Sequence, residues 1–288
     1  GRGGLGRTVR ERSDVGVEWR GVVGGDGARG RTLCSVSRCW APSTWPAIVP
    51  FGGGTMNTIA RSLGVSGPVK RLAAGLRSHI AGVQYLVPTE RWLLDVDGTR
   101  RGFLFGNGLF ARYIEAYEMG EPGPGRAASV LARATLSAMV GGPFSSALGR
   151  PVHARLEVDG ELLAEGPWLV ASAGTVEQVG LGFRPFMGAI RQPGSLHALG
   201  IGCTAGELAL QLPLAFRGRP FTHPKIVECV GKELVIRANE PQLYMMDGDL
   251  TQGGPVVRVA MGPKVTFWVP RAPTAQIERP SEPDGIGH

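Results

Sequence analysis

Two short stretches hold the residue types that could do chemistry: Gly24-Gly25-Asp26-Gly27 and Pro50-Phe51-Gly52-Gly53-Gly54-Thr55-Met56-Asn57. Each follows an apolar run, Val22-Val23 for the first and Ala47-Ile48-Val49 for the second. A glycine-rich bend lets backbone N–H groups approach a polyphosphate, because no Cβ stands in the way and φ > 0 is allowed. The second bend runs into a helix expected over 57–63 and closed by Gly64, whose start adds a positive dipole end to the same anion site. One such bend is most often a tight turn. Two at this separation, one carrying an acid and the other Thr-x-Asn, point to a phosphate site.

A third stretch is Met246-Asp247-Gly248-Asp249, followed by the strand-like Val256-Val257-Arg258-Val259-Ala260. Together the three resemble the diacylglycerol kinase catalytic family, which includes bacterial lipid kinases and sphingosine kinases. That family carries Gly-Gly-Asp-Gly-Thr, then Pro-x-Gly-Thr-x-Asn-x-x-Ala-Arg-x-Leu-Gly. Here the second pattern reads Pro50 … Gly54-Thr55-Met56-Asn57-Thr58-Ile59-Ala60-Arg61-Ser62-Leu63-Gly64, with one extra residue in the bend. The resemblance spans about residue 21 to about residue 270.

The resemblance implies an ATP-dependent lipid kinase that phosphorylates the hydroxyl of a diacylglycerol-like lipid with Mg²⁺. Gly24, Gly25 and Gly27 would cradle phosphates, and Asp26 would contact the metal. Gly54 and Thr55 would complete the phosphate or ribose pocket, and Asn57 would fix the loop or the helix start. Gly248 belongs to the third motif. Asp249 stands where the family has its proposed general base, a Glu, and is shorter by one methylene; the alternative is a turn acid. Phosphoryl transfer needs just these parts: a held triphosphate, cancelled charge and a base near the attacking hydroxyl. The implied partner is a membrane lipid met at the cytoplasmic face of the inner membrane, by peripheral association, and a homodimer is compatible with the pattern.

The elements around these residues fit a two-part plan. Residues 1–82 are expected to form a small, incomplete α/β ATP-binding domain of NAD-kinase/phosphofructokinase-like type. Within it residues 1–46 show no sustained period outside Val22-Val23, and Ala28 replaces the family's Thr, so this end reads as truncated, aberrant or disordered. Residues 83–270 are expected to form a larger β-sandwich-like lipid-substrate domain, and 271–288 a flexible tail rich in Pro, Glu and Gly. Helices are expected over 69–80 and 126–140. Strands are expected over 152–158, closed by an Asp159-Gly160 hairpin turn, and at 234–236 and 265–269.

Composition narrows the class. The chain has 288 residues, a formal charge of +7, 45 Gly and 22 Pro, which favours turns and short strands over a helical bundle. No apolar run approaches the roughly 18–20 residues of a membrane-spanning helix. The four cysteines form no Cys-x-x-Cys pair, so a reduced, cytoplasmic setting is expected. The positive charge suits an anionic leaflet or an arginine-rich composition with solvated side chains. Dispersed basic residues argue against nucleic acid.

Three further motifs are weighed against this reading. Trp92-Leu93-Leu94-Asp95-Val96-Asp97-Gly98-Thr99 is similar to the haloacid-dehalogenase phosphatase signature, with Asp95 as nucleophile and Asp97 at the leaving group; as a lipid kinase, the same stretch is strand, Asp-Gly turn and strand. A catalytically impaired lipid- or nucleotide-binding remnant is the non-enzyme alternative. The fingerprint Gly1-x-Gly3-x-x-Gly6 lacks a strand before it and a helix after it. The acidic metal-binding segment of bacterial family members corresponds here to 192–197, which has no acid, so no structural metal is expected and His197 reads as a packed or surface residue. Arg112 stands where sphingosine-type members have an Asp, which argues against a sphingoid base. Tyr113, Glu115 and Tyr117, read as alternate strand residues, would line the lipid entrance.

Overall fold

The computed structural model describes residues 19–24, 47–52, 58–65, 86–118, 129 and 150–270. The helices expected over 69–80 and 126–140, the segment 1–18 and the tail 271–288 lie outside these residues, apart from Ser129.

Two sheets dominate. The first contains β1 (Trp19–Gly24), β2 (Ala47–Gly52), β3 (Leu86–Val96), β4 (Arg100–Gly102), β6 (Val152–Val158), β7 (Glu161–Trp168), β11 (Glu233–Ala238) and β14 (Val256–Pro270). The second runs in the order β10 (Ile226–Gly231), β9 (Leu196–Ile201), β8 (Val170–Gly174), β5 (Leu104–Asn107), β12 (Leu243–Met246), β13 (Asp249–Gln252). All pairs of the second sheet are antiparallel. In the first sheet β1 and β2 pair in parallel, and so do β2 and β14. Among the described residues the helices are α1 (Thr58–Ser62), α2 (Leu109–Glu118), α3 (Met187–Arg191) and α4 (Ala205–Phe216).

The 15-residue β14 is the common strand of the first sheet. One of its edges pairs with β3 over most of its length. Its other edge pairs with β11 through Val256–Ala260 and then, through Phe267, with Ile48 of β2. The register shifts between Met261 and Lys264, where β14 passes from one neighbour to the next. An irregularity here bends the strand and increases its twist.

Period-2 patterning decides the core. Along β9, Leu196 and Ala198 face the first sheet, while Leu199 and Ile201 face away from it into a second cluster. The inter-sheet cluster joins Leu94, Leu156, Ile236 and Val259 to Phe105, Tyr244 and Met246. The other cluster joins Ile48, Ile59 and Leu63 to Phe103, Phe186, Phe267 and Leu208. It thereby includes residues from both sides of position 83. β8 and β9 are buried on both faces, which is why β8 reads as an unbroken apolar or small run and β9 as one interrupted by His197. Trp168, 5% exposed, donates its indole N–H to the Ala154 carbonyl at 2.8 Å, so its one polar atom is satisfied.

The expected strands at 152–158, 234–236 and 265–269 lie in β6, β11 and β14. Tyr113, Glu115 and Tyr117 are corrected: they lie on α2, not on a strand. Phe110, Ala111 and Ile114 at helical spacing turn one face of α2 inward, and residues two apart on a helix do not share a face. Gly108, at φ +58, starts this helix hard against the preceding sheet: a Cβ there would lie 2.3 Å from the Leu169 carbonyl oxygen.

Candidate active site

The first two glycine-rich stretches leave one sheet edge together. β1 and β2 are parallel neighbours in full register, and the Cα partner of Gly24 is Gly52. Both chains therefore exit at the same level from the carboxyl ends of adjacent parallel strands, the position where open α/β sheets bind ligands. Gly25, Asp26, Gly27, Gly54, Thr55 and Asn57 lie outside the described residues. Beyond the second stretch, α1 begins at Thr58, and Thr58, Ile59 and Ala60 are buried.

The third motif is a hairpin turn. Met246 pairs with Asp249, and Asp247 and Gly248 between them have φ of +51° and +90°. Both central residues of a two-residue type I′ turn need positive φ, which suits Asp-Gly. Asp247 is 4% exposed. Its carboxylate accepts from the Phe103 N–H at 3.0 and 3.1 Å and from the Leu104 N–H at 2.9 Å. Gly102 is needed beside it, since a Cβ there would lie 2.4 Å from Asp247 Oδ2. Asp249 begins β13, half-buried. As the direct partner of Met246 it projects on the face turned toward the first sheet.

A chain of contacts links this turn to β2. Asp247 holds the backbone of Phe103, the Phe103 ring stands 6.0 Å from that of Phe267, and Phe267 is the β14 residue paired with Ile48. Ile48 lies four residues before Gly52. The third motif thus reaches, through one aromatic pair, the strand that ends in the second glycine-rich stretch.

Asp247 belongs to a repeated device, in line with the Asp-Gly turns expected at 97–98 and 159–160. Asp97-Gly98 and Asp159-Gly160 are also turns with positive φ at both residues. Asp97 accepts from the Arg258 N–H at 2.9 Å, and Asp159 accepts from the Lys232 and Glu233 N–H groups at 2.7 and 2.9 Å. Each aspartate therefore shapes its own turn and ties it to another part of the fold. The usable signal was an Asp-Gly pair between two apolar runs.

This geometry overturns the phosphatase alternative. Asp95 lies on β3, which is antiparallel to both β4 and β14, whereas that chemistry places its nucleophile at the end of a parallel strand. Asp95 accepts from Arg101 Nε at 3.0 Å, and Asp97 is committed to its turn.

His197 is packed, 5% exposed. Its Nδ1 accepts from the Gly188 N–H at 3.2 Å, which leaves Nε2–H to donate to Glu228 Oε2 at 3.0 Å. Among the described residues no group of three or more His, Cys, Asp or Glu side chains is placed to hold a metal ion, and Asp26, assigned to Mg²⁺, lies outside them. Arg112 is partly buried, and burial, then the neighbouring Arg150, pushes its guanidinium below the ordinary arginine value; it donates to the Arg150 carbonyl. No described helix is long and apolar enough to cross a membrane.

Neither a protein-family model nor a curated protein matches this chain. Solved structures do. A diacylglycerol kinase from Bacillus anthracis str. Sterne superposes with a TM-score of 0.63 at 16% identity, covering 95% of this chain and 83% of that one. Two structures of candidate diacylglycerol kinases from the same bacterium give 0.63 at 14% identity, covering 95% and 84%, and 0.67 at 15% identity, covering 93% and 83%. Over almost its whole length, this chain has the fold of the bacterial diacylglycerol kinase structures.

Proposed function

We propose that this protein is an ATP-dependent lipid kinase acting on the hydroxyl of a diacylglycerol-like lipid at the cytoplasmic face of the membrane. The observation that carries the reading is the parallel, in-register pairing of Gly24 with Gly52, within a fold otherwise seen in the Bacillus anthracis structures.

In this reading the backbone N–H groups of Gly24, Gly25, Gly27 and Gly54 hold the triphosphate, and Thr55 and Asn57 complete the pocket. Mg²⁺, contacted by Asp26, supplies charge neutralisation of the phosphates when bound. The lipid hydroxyl oxygen attacks the γ-phosphorus, the bond to the β–γ bridging oxygen breaks, ADP leaves, and the hydroxyl proton passes to the Asp249 carboxylate. The short Asp side chain demands that the lipid approach closer than it would to a Glu, and rates respond strongly to a misplacement of about 1 Å.

The test is transfer of label from γ-labelled ATP to diacylglycerol in mixed micelles, comparing the native chain with Asp26→Asn and Asp249→Ala. Label in phosphatidate from the native chain, lost in both variants, supports the proposal. Absence of label together with no ATP binding, with or without Mg²⁺, would establish the remnant in its place.

A further inference from the structure

Far along the same chain is a cavity of about 250 Å³ that none of the three motifs uses. It lies between α3, β9, β10 and the turn that ends α4, and its walls include Arg184, Arg191, Arg219, His197 and Glu228. Local structure brings the arginines together. The Arg184 N–H donates to the Ala215 carbonyl at 2.8 Å, fixing the loop before α3 against the end of α4. That end is closed by Gly218 at φ +64, with Gly218 N–H on Ala215 and Arg219 N–H on Leu214. This pattern is a Schellman cap, and it turns the chain so that Arg219 follows at once into the cavity wall. Arg191 ends α3 on the opposite wall.

Among the described residues the charges of these three exposed arginines are not balanced. None of the three guanidinium groups has a hydrogen bond or ion pair with a described residue. On the first sheet, by contrast, Arg101, Arg155, Arg237 and Arg258 all meet carboxylates. The one acid of the cavity, Glu228, is already engaged by His197 Nε2–H at 3.0 Å and by the Phe221 N–H at 3.3 Å. Three guanidiniums against one carboxylate leave two positive charges around a space large enough for a tetrahedral anion. Arginine forks match phosphate oxygens in geometry as well as charge.

The rim says where that phosphate comes from. Ile190, next to Arg191, and Phe216, two residues from Gly218, are 39% and 57% exposed. Phe216 packs edge-on against Phe183, 5.9 Å away, beside Arg184. Exposed apolar side chains flanking unpaired arginines are the arrangement that suits a lipid–water interface, with rings and alkyl groups among the acyl chains and cations at headgroup depth. A soluble phosphate has no use for them.

We propose that this cavity binds the phosphate of an anionic phospholipid, so that α3 and the end of α4 form the membrane-facing rim. None of the residues that line it belongs to the three motifs, and binding there does not depend on catalysis.

Vesicle co-sedimentation tests it with the full chain. Phosphatidylcholine vesicles with and without phosphatidic acid are the probes, and inorganic phosphate at constant ionic strength is the competitor. A basic side chain at an anionic surface contributes about fivefold in affinity. Arg184→Gln, Arg191→Gln and Arg219→Gln together should therefore weaken binding to phosphatidic acid vesicles at least about tenfold. A control that removes the same charge elsewhere, Arg61→Gln, Arg150→Gln and Lys225→Gln, should weaken it much less. Ile190→Ser with Phe216→Ser should also reduce binding, with melting unchanged. Equal losses in the two triple variants would reduce the effect to net charge and overturn the proposal. So would phosphate occupying the cavity while the native chain ignores anionic vesicles.

Discussion

Asp247 and Asp249 sit two residues apart in one motif; Asp247 holds backbone N–H groups, Asp249 is the base of the proposed kinase, and substitution can tell the two roles apart. Asp247→Ala strips the acceptor from two backbone donors, Phe103 N–H and Leu104 N–H, at a position only 4% exposed. A buried donor left without a partner costs about 1–3 kcal/mol, so the pair accounts for about 2–6. The residue also sits at φ +51, where an alanine costs about 1–2 kcal/mol. Partial relaxation and water entry favour the lower half, so the expected loss is about 4 kcal/mol, a large share of the 5–15 kcal/mol typical of a folded domain. Asp247→Gly loses the same acceptor without the backbone strain and should be about 1 kcal/mol milder than Ala. Asp247→Asn keeps the turn and one acceptor oxygen and should cost about 1–2 kcal/mol. Urea unfolding reads these differences, provided the m-value stays constant across the series. Asp249→Ala, on the half-buried first residue of β13, should change stability by less than about 1 kcal/mol while removing phosphoryl transfer. An Asp247→Ala variant within 1 kcal/mol of the native chain would refute the account, as would a Gly variant no milder than Ala.

Three other outcomes are expected. Gly108→Ala, with its Cβ 2.3 Å from the Leu169 carbonyl oxygen at φ +58, should lose about 3 kcal/mol or more; Gly248→Ala, at φ +90 with open space around it, should lose only the strain of about 1 kcal/mol. Thermal melts of the two would show equal losses if the close approach were irrelevant. Thr204→Ala should cost about 1 kcal/mol, since Thr204 and Glu207 form a reciprocal cap on α4; hydrogen bonds from the Thr204 backbone, then its side chain, hold the Glu207 carboxyl below its usual range. Glu207's share is therefore present above its unfolded value and lost as pH falls through the lowered folded one, so Glu207→Gln should melt lower than the native chain at neutral pH and alike in acid. Burial, then Glu207, pushes the Cys203 thiol up to about 11, so iodoacetamide at pH 8 should modify half-buried Cys229 well before Cys203, as read by peptide mass spectrometry; equal rates would contradict the burial.

The sandwich was legible where one physical rule acted alone. Residues 152–158 alternate because β6 buries one face, and Asp159-Gly160 closes them because few other pairs tolerate two positive φ angles. Legibility failed where both faces are buried: β8 and β9 carry no alternation to read, since the two clusters take alternate residues of the same apolar run. It failed again at α4, where Pro213 in the last turn suggests a break although Thr204-x-x-Glu207 announces the start. It failed at α2, whose Phe110, Ala111 and Ile114 spacing was passed over for a strand. Arg184, Arg191 and Arg219 are far apart in sequence and meet only through the Ala215 and Gly218 geometry, so no local pattern could group them. The glycine-rich stretches were the reverse case. Their types and spacing were visible at once, while their adjacency depends on β1 and β2 pairing in register across 22 intervening residues.

That adjacency makes sense only with β14. A two-stranded parallel pair has little stability of its own, and parallel strands are ordinarily covered on both sides. Here β2 gains a third strand from the far end of the chain, at Phe267, while Ile48 and Val49 enter the same cluster as Phe103, Val265 and Val269. The strand that completes the glycine-bearing edge is also the one gripped by β3 over most of its length and by β11 at its start. A shift of β2 along β14 would move Gly52 by about 3.3 Å per residue and exchange the sites that Ile48 and Val49 fill in the cluster. The hydrophobic core therefore sets where the second glycine-rich stretch ends relative to the Asp247–Gly248 turn. The phosphoryl transfer proposed above would need a base and a triphosphate cradle held in fixed relation although they come from opposite ends of the sequence, and a single long strand shared by both parts is a physically economical way to hold them so.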